Sequence, residues 1–264
     1  MGPEPSEQCP VWVINLRSSD DRRKAISNSL DRLGVAFRIF DAIDGRSGLG
    51  QEHDALVDRV AAQKRLYRAL SDAEAALQLS HAFIYQQIVA EGHSEAIILE
   101  DDAILGDGFA QFATDPERKK HDMILLGHEK ARAYNRPVGH LSSGADLFRL
   151  RGPCHLAVGY YLSRRGAQFL LEAALPVSYV ADWPADISEI GAVAVSPALI
   201  GHPLPANAAT TLGENRQQIK SASRRGRHAR FLTRAYWKKK ADGAFGKRLV
   251  SSSQVEQSIR QEML

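Results

Sequence analysis

Three consecutive acids, Glu100, Asp101 and Asp102, end the apolar run of AIILEDDAIL (96–105). Neighbouring carboxylates repel one another and raise each other's pKa unless a cation sits among them, so this stretch predicts a positive group. In an extended chain alternate side chains share a face, which sets Glu100 and Asp102 on one side and Asp101 on the other. Two converging carboxylates suit Mg²⁺ or Mn²⁺, which keep several waters and take further ligands from substrate phosphates. A cation bridging two phosphates stabilises the charge that develops on a departing diphosphate. The competing reading is a strand end followed by acidic N-caps of a helix.

A sheet must carry these acids, and the sequence supplies one. VWVINL (11–16) is a β-rich run, and SSDDRRKAISNSLDRLG (18–34) has Ser and Asp at its start, Ala25, Ile26, Leu30 and Leu33 near helical spacing, and a stop at Gly34. VAFRIF (35–40) alternates as a strand and DAIDG (41–45) turns. This β-α-β opening is of the mononucleotide-binding kind, with ligands at the carboxyl ends of strands, where Asn15, Leu16, Asp44 and Gly45 fall. Residues 46–70 predict one or two short helices. In SDAEAALQLSHAFIYQQIVAEG (71–92), Ser71 and Glu74 make a capping-box signature, and Leu77, His81, Ile84, Tyr85 and Ile88 mark the face that packs on the sheet. The chain then returns into the acidic strand. KHDMILLG (120–127) predicts another strand, 128–153 a long functional loop, 156–174 a strand then a helix, and 192–203 a strand then a turn. Repeated alternation of strand and helix argues for an α/β fold with a mainly parallel sheet.

The 264 residues, 44% hydrophobic and 25% charged, can bury a substantial core. No apolar run approaches the ~18 residues of a membrane span, and two cysteines, Cys9 and Cys154, give neither a disulfide framework nor a metal knuckle. The expectation is a cytoplasmic chain. Its net charge of +3 conceals an asymmetry: residues 216–248 hold twelve Lys and Arg against one acid, +11, which leaves −8 on the rest. Within 221–240, Phe231, Leu232, Ala235 and Tyr236 form an apolar stripe at helical spacing among the cations. Such a helix suits an anionic membrane surface, peripheral at the inner membrane; nucleic acid has weaker support because no base-reading module is recognisable.

VINLRSSDDRR (13–23), FDAIDGR (40–46), the 71–92 helix with Glu74 and Ser80-His81, the acidic strand, YYLSRRGAQFLLEAALPV (160–177), Asp182-Trp183, PALIGHP (197–203) and ATTLGENR (209–216) follow one another in order. Together they resemble glycosyltransferase family 25, the lipopolysaccharide-type galactosyltransferases. The chain departs from that pattern at Arg17-Ser18, where the family often has Asp-Arg, at Ala76-Leu77, where it has Gly-Cys, and at Val158, where a His is common. The resemblance covers 11–216, so that 1–10 is an N-terminal extension and 217–264 a basic, helical tail.

The resemblance implies a GT-A type Rossmann-like fold that takes a nucleotide diphosphate sugar, a UDP-sugar first among them, at one half and a glycan or glycolipid acceptor at the other. Donor contacts then fall to Asn15, Leu16, Arg22, Asp44, Gly45, Glu100 and Asp101, and the metal to Glu100 and Asp102 with His202 as a third ligand. An inverting transfer needs a base that is not a metal ligand; Asp182 is the first choice, with Asp186 and Glu189 behind it. His81, on an apolar helix face, is expected as a buried support of the acidic strand. The alternatives are a non-catalytic glycan- or partner-binding protein of the same fold and a metal-dependent phosphotransfer enzyme, the latter weakened by the lack of a P-loop.

Overall fold

A computed structural model describes residues 9–152, 154–180, 183–203 and 246–262. β1 (Val11–Asn15) is buried along its whole length, as a strand covered on both faces must be. A tight turn leads into α1 (Asp20–Arg32), which starts with Asp20 and Asp21 at the positive end of the helix dipole and stops before Gly34 at φ +67°. Ile26 and Leu30 are its buried residues, whereas Ala25 is exposed. β2 (Arg38–Asp41), α2 (Gln51–Asp54) and α3 (Arg59–Leu66) follow.

α4 (Asp72–Ala90) opens with the expected capping box: Glu74 N–H donates to Ser71 Oγ and Ser71 N–H to the Glu74 carboxylate. Burial raises the pKa of Glu74, but bidentate Arg68 and the Ser71 backbone N–H outweigh it and hold the carboxyl below the usual range. His81, Ile84, Tyr85 and Ile88 are buried as expected, but Leu77 is only half-buried and Ala75, Ala76 and Leu79 take its place. The sequence pattern points to one face because it assumes one neighbour. α4 has more, since Ala75 and Leu79 pack with Ala62 of α3 and Val177 while Ile84 and Ile88 pack toward the sheet.

Beyond α4 come β3 (Glu95–Glu100), β4 (Ile104–Leu105), α5 (Gly108–Thr114), β5 (Met123–Leu125), β6 (Arg132–Ala133), β7 (Gly139–His140), β8 (Asp146–Arg149), β9 (Gly159–Ser163), α6 (Arg164–Ala174), β10 (Val193–Ser196), β11 (Ile200–Gly201), β12 (Lys247–Arg248) and α7 (Ser252–Glu262). The central sheet has eight strands in the order β2-β1-β3-β9-β5-β10-β8-β7. β2, β1, β3, β5 and β10 point one way, with β9 and β8 reversed. The fold is α/β with a mostly parallel sheet flanked by helices, as expected. Residues 128–153 are not the single loop expected: they hold β6, β7 and β8, too short to show a period of two in the sequence.

Strand alternation divides the core. Ile98 of β3 faces α4 and α6 with Trp12, Ile14, Leu125 and Tyr160, whereas Ile97 and Leu99 face α1 and α5 with Val11, Val13 and Tyr161. The tail boundary at 217 needs correction for its described part. β12 pairs with β6, and α7 packs on β11 and β4 with Ser252, Glu256 and Ile259 buried. Its few apolar positions, Val255 and Ile259 among Gln, Ser and Glu, hide this packing from a hydrophobic count. Residues 217–245, and with them the 221–240 stripe, lie outside the described residues, as do 1–8 of the expected N-terminal extension.

Candidate active site

The acidic cluster sits at the carboxyl ends of β1 and β3. Ile14 of β1 stands opposite Glu100 of β3, so Asn15 is level with Asp101, and Asn15 Nδ2 donates to Asp101 Oδ2 at 2.8 Å and to Ser19 O at 3.3 Å. Both of those neighbours are acceptors, which turns the amide nitrogen toward them and leaves Asn15 Oδ1 buried with no hydrogen-bond partner. Arg22, in the first turns of α1, donates from Nη1 to Asp101 Oδ1 at 2.9 Å and lies 3.9 Å from Asp102 Oδ2. Arg22 is thus one positive group that the three acids require. Leu16 serves the turn that brings α1 here, its carbonyl accepting from Ser19 N–H at 2.8 Å.

β3 ends at Glu100, and Asp101 and Asp102 form a turn closed by Ala103 N–H donating to Glu100 O at 3.2 Å. The extended alternation expected through Asp102 therefore stops two residues early, at Glu100. Asp102 still meets Glu100: burial first, then the Glu100 charge, push its carboxyl up to about 6, against the pull of His202 and Arg22. Its Oδ1 is buried without a hydrogen-bond partner. His202 arrives through a two-residue ribbon in which Gly201 stands opposite Ile104. That register brings His202 beside the turn, with Nε2 3.7 Å from Asp102 Oδ2.

Glu100 shares a strand face with Ile98, and α4 covers that face. His81 is buried there, with Nε2 3.4 Å from Glu100 Oε1 and Nδ1 2.7 Å from the Tyr160 hydroxyl, which in turn lies 3.0 Å from the Tyr85 hydroxyl. If Tyr85 donates to Tyr160 and Tyr160 to Nδ1, the remaining ring proton is on Nε2, which lies beside Glu100 without a hydrogen bond to it. Trp183 packs edge-on against Tyr160 at 5.0 Å between ring centroids. The sequence marks Tyr85 as a packing residue and Asp182-Trp183 as a motif, but not the contacts that Tyr160 makes with His81, Tyr85 and Trp183. Tyr160→Phe is expected to lower stability by about 2 kcal/mol, because it strands the buried His81 nitrogen and Tyr85 hydroxyl. Denaturant unfolding measures it, and a loss below about 0.5 kcal/mol would remove the network from the account.

Several expected contacts resolve differently. Asp44 is gripped by Arg46, whose hydrogen bonds hold its carboxyl below the usual range; Arg46 Nη2 also donates to Ser18 Oγ at 2.6 Å, tying the loops after β1 and β2. Arg17 pairs with Asp41 on the exposed surface, and Val158 is buried, its carbonyl accepting from Glu100 N–H at 2.9 Å. Gly45 is buried where a Cβ would lie 2.3 Å from Asp72 O and 2.8 Å from Ala73 N, so the start of α4 explains it sterically. Gly45→Ala is expected to cost about 1–3 kcal/mol by overpacking; unchanged stability in urea with lost donor affinity would return Gly45 to a ligand role. Asp186 caps a local turn, accepting from Ser188 N–H and Oγ, and Glu189 is exposed. Asp182 lies outside the described residues.

Among the described residues no set of three His, Cys, Asp or Glu side chains is arranged to hold a metal ion. Glu100 and Asp102 nevertheless suit an ion that takes one or two carboxylates and completes its shell with water and phosphate. The unpartnered Asp102 Oδ1 and its raised pKa are what such an ion would relieve.

Residues 8–186 match the family described as glycosyltransferase family 25 (LPS biosynthesis protein). The chain is 32% identical over 174 residues to the lacto-N-neotetraose biosynthesis glycosyltransferase LgtE of Neisseria gonorrhoeae, a match covering 62% of this chain and only 61% of that protein. The protein of the same name from Neisseria meningitidis serogroup B is 29% identical over 256 residues, 89% of each chain. A probable inactive glycosyltransferase 25 family member 3 from Bos taurus is 29% identical over 170 residues, 61% of this chain and 28% of that protein.

Proposed function

The chain belongs to glycosyltransferase family 25, and from that membership and its acidic edge we propose that it moves a sugar from a nucleoside diphosphate donor to a glycan acceptor with a divalent cation. The donor is a UDP-hexose, with galactose favoured. The acceptor is a lipopolysaccharide-type glycolipid, and the protein works from the cytoplasmic face of the membrane. The observation that carries the reading is Glu100 beside a half-buried Asp102 whose own Oδ1 is buried without a partner, at the strand ends where this kind of sheet takes its ligands.

Glu100 and Asp102 would hold Mn²⁺ or Mg²⁺, with His202 beside them; when bound, the cation supplies charge against the departing diphosphate. Arg22 keeps Asp101 turned toward α1 and adds positive charge at the same edge. His81 lies beside Glu100 on the face that α4 covers, with Nε2 3.4 Å from Oε1. Transfer is inverting: the acceptor oxygen bonds to the anomeric carbon, its proton passes to the Asp182 carboxylate, and the bond to the diphosphate oxygen breaks. Asp182 is the first choice for that base, with Asp186, which accepts from Ser188 in its own turn, and the exposed Glu189 behind it.

A panel of nucleotide sugars, tested for thermal stabilisation with and without Mn²⁺, checks the reading. Stabilisation by one donor, present only with the ion and reaching about 2.7 kcal/mol at a hundredfold excess over Kd, is the expected result. Stabilisation that ignores the ion refutes the metal. The resemblance to a probable inactive family member favours one second reading, a binding protein without turnover. Donor binding with neither hydrolysis nor transfer would establish that instead.

A further inference from the structure

One face of the ribbon made by β6, β12 and the continuation of β8 carries more positive charge than its neighbours neutralise. Arg248 stands opposite Arg132, and Ala133 opposite Leu150. Arg132 therefore stands opposite Arg151, whose N–H donates to Arg132 O at 2.9 Å. Ala133 and Leu150 point into the core, so alternation sends Arg132, Arg151 and Arg248 outward together. One row along, Tyr134 N–H donates to Arg149 O at 3.0 Å, which puts Tyr134 and Arg149 on the same face. Arg151 confirms the geometry by lying over the Tyr134 ring, 5.5 Å from its centroid.

Like charges directly opposite one another destabilise a sheet. Among the described residues none of Arg132, Arg149 and Arg248 has a carboxylate within ion-pair distance, and Arg132 turns one N–H to the Gly246 carbonyl at 3.1 Å. The row is relieved when something anionic covers it.

We infer that this face docks on the anionic headgroups of a lipid bilayer. Tyr134 is 50% exposed and Val250, two residues beyond Arg248, is 42% exposed, so aromatic and apolar side chains stand among the arginines. That mixture suits a surface with charge outside and hydrocarbon beneath. In sequence, β12 closes the segment 216–248 that carries +11. The inference deepens the glycolipid reading and rests on it for its purpose, whereas the arginine row is independent of the donor site.

The test is sedimentation of the full chain with neutral phosphatidylcholine vesicles and with vesicles containing phosphatidylglycerol. Arg149→Glu/Arg248→Glu reverses two exposed charges on the face, and Lys24→Glu/Arg32→Glu makes the same change on α1. Each cation near such a surface contributes about fivefold in partitioning, so the ribbon variant should bind anionic vesicles ~10-fold or more weakly while the α1 variant keeps most of its binding. Melting temperature and donor-induced stabilisation report folding; if the glutamate variant does not fold, Arg149→Gln/Arg248→Gln replaces it. Equal loss in both variants, equal binding to neutral vesicles, or stronger competition by single-stranded DNA than by anionic lipid would each overturn the inference. Failure of donor binding in every form, with vesicle binding intact, would count against the transferase reading alone.

Discussion

Asp102→Asn is expected to abolish the Mn²⁺-dependent part of nucleoside diphosphate binding while the ligand-free protein becomes no less stable. The substitution keeps the shape of a side chain wedged beside Glu100, His202 and Arg22. It removes the charge a hard cation needs. Stability should hold or rise by about 1–2 kcal/mol at neutral pH, because the native fold raises this carboxyl above its unfolded pKa and so disfavours its ionised form. The sign follows: the wild-type carboxyl favours folding when protonated, that benefit is lost as pH rises through about 6, and the gain from asparagine vanishes in acid. Calorimetric titration of UDP with and without Mn²⁺, beside urea unfolding at two pH values, measures both halves. Unchanged metal-dependent affinity would take the cation away from this edge.

The second large effect is expected at Asp182. Asp182→Asn should depress transfer by roughly two to four orders of magnitude, the worth of a positioned base, and leave donor affinity and melting temperature near those of the wild type. Two observations favour this position over its neighbours. Trp183, the next residue, packs on Tyr160, whose hydroxyl contacts His81 beside Glu100. Asp186 and Glu189 are in a capped turn and in solvent. Single-turnover transfer to a soluble acceptor separates the roles: a normal rate in Asp182→Asn moves the base to Asp186 or Glu189, and loss of donor binding would make Asp182 a donor contact.

The opening β-α-β unit, the Ser71–Glu74 cap and the acidic strand were legible because each is written in local spacing. A helix repeats every 3.6 residues, a cap every three, and a buried strand is a short apolar run. His202 was accessible only through family resemblance: its arrival depends on β11 pairing with β4, two residues against two, and so short a strand has no period to read. The same holds for β6 and β12, whose pairing lines up arginines 116 positions apart in sequence. Arg22 was read as a donor contact, and its hydrogen bond to Asp101 was not legible, since sequence shows a charge without showing its nearest opposite charge. Gly45 was placed at the ligand-binding strand ends, and its close contact with the backbone of Asp72 could not be read from sequence.

α7 closes over backbone made long before it during synthesis. Ser252 Oγ donates to Ile200 O at 2.6 Å and accepts from His128 N–H, 124 positions upstream, and the Glu256 backbone fills the space left by the missing side chain of Gly201. A chain emerging from the ribosome can assemble most of the sheet and the Glu100 turn before these groups exist. The loop bearing His202 then still has an open flank. Donor capture is therefore expected to need α7, and a released chain ending near residue 245 should hold a native-like sheet that cannot yet grip a nucleotide.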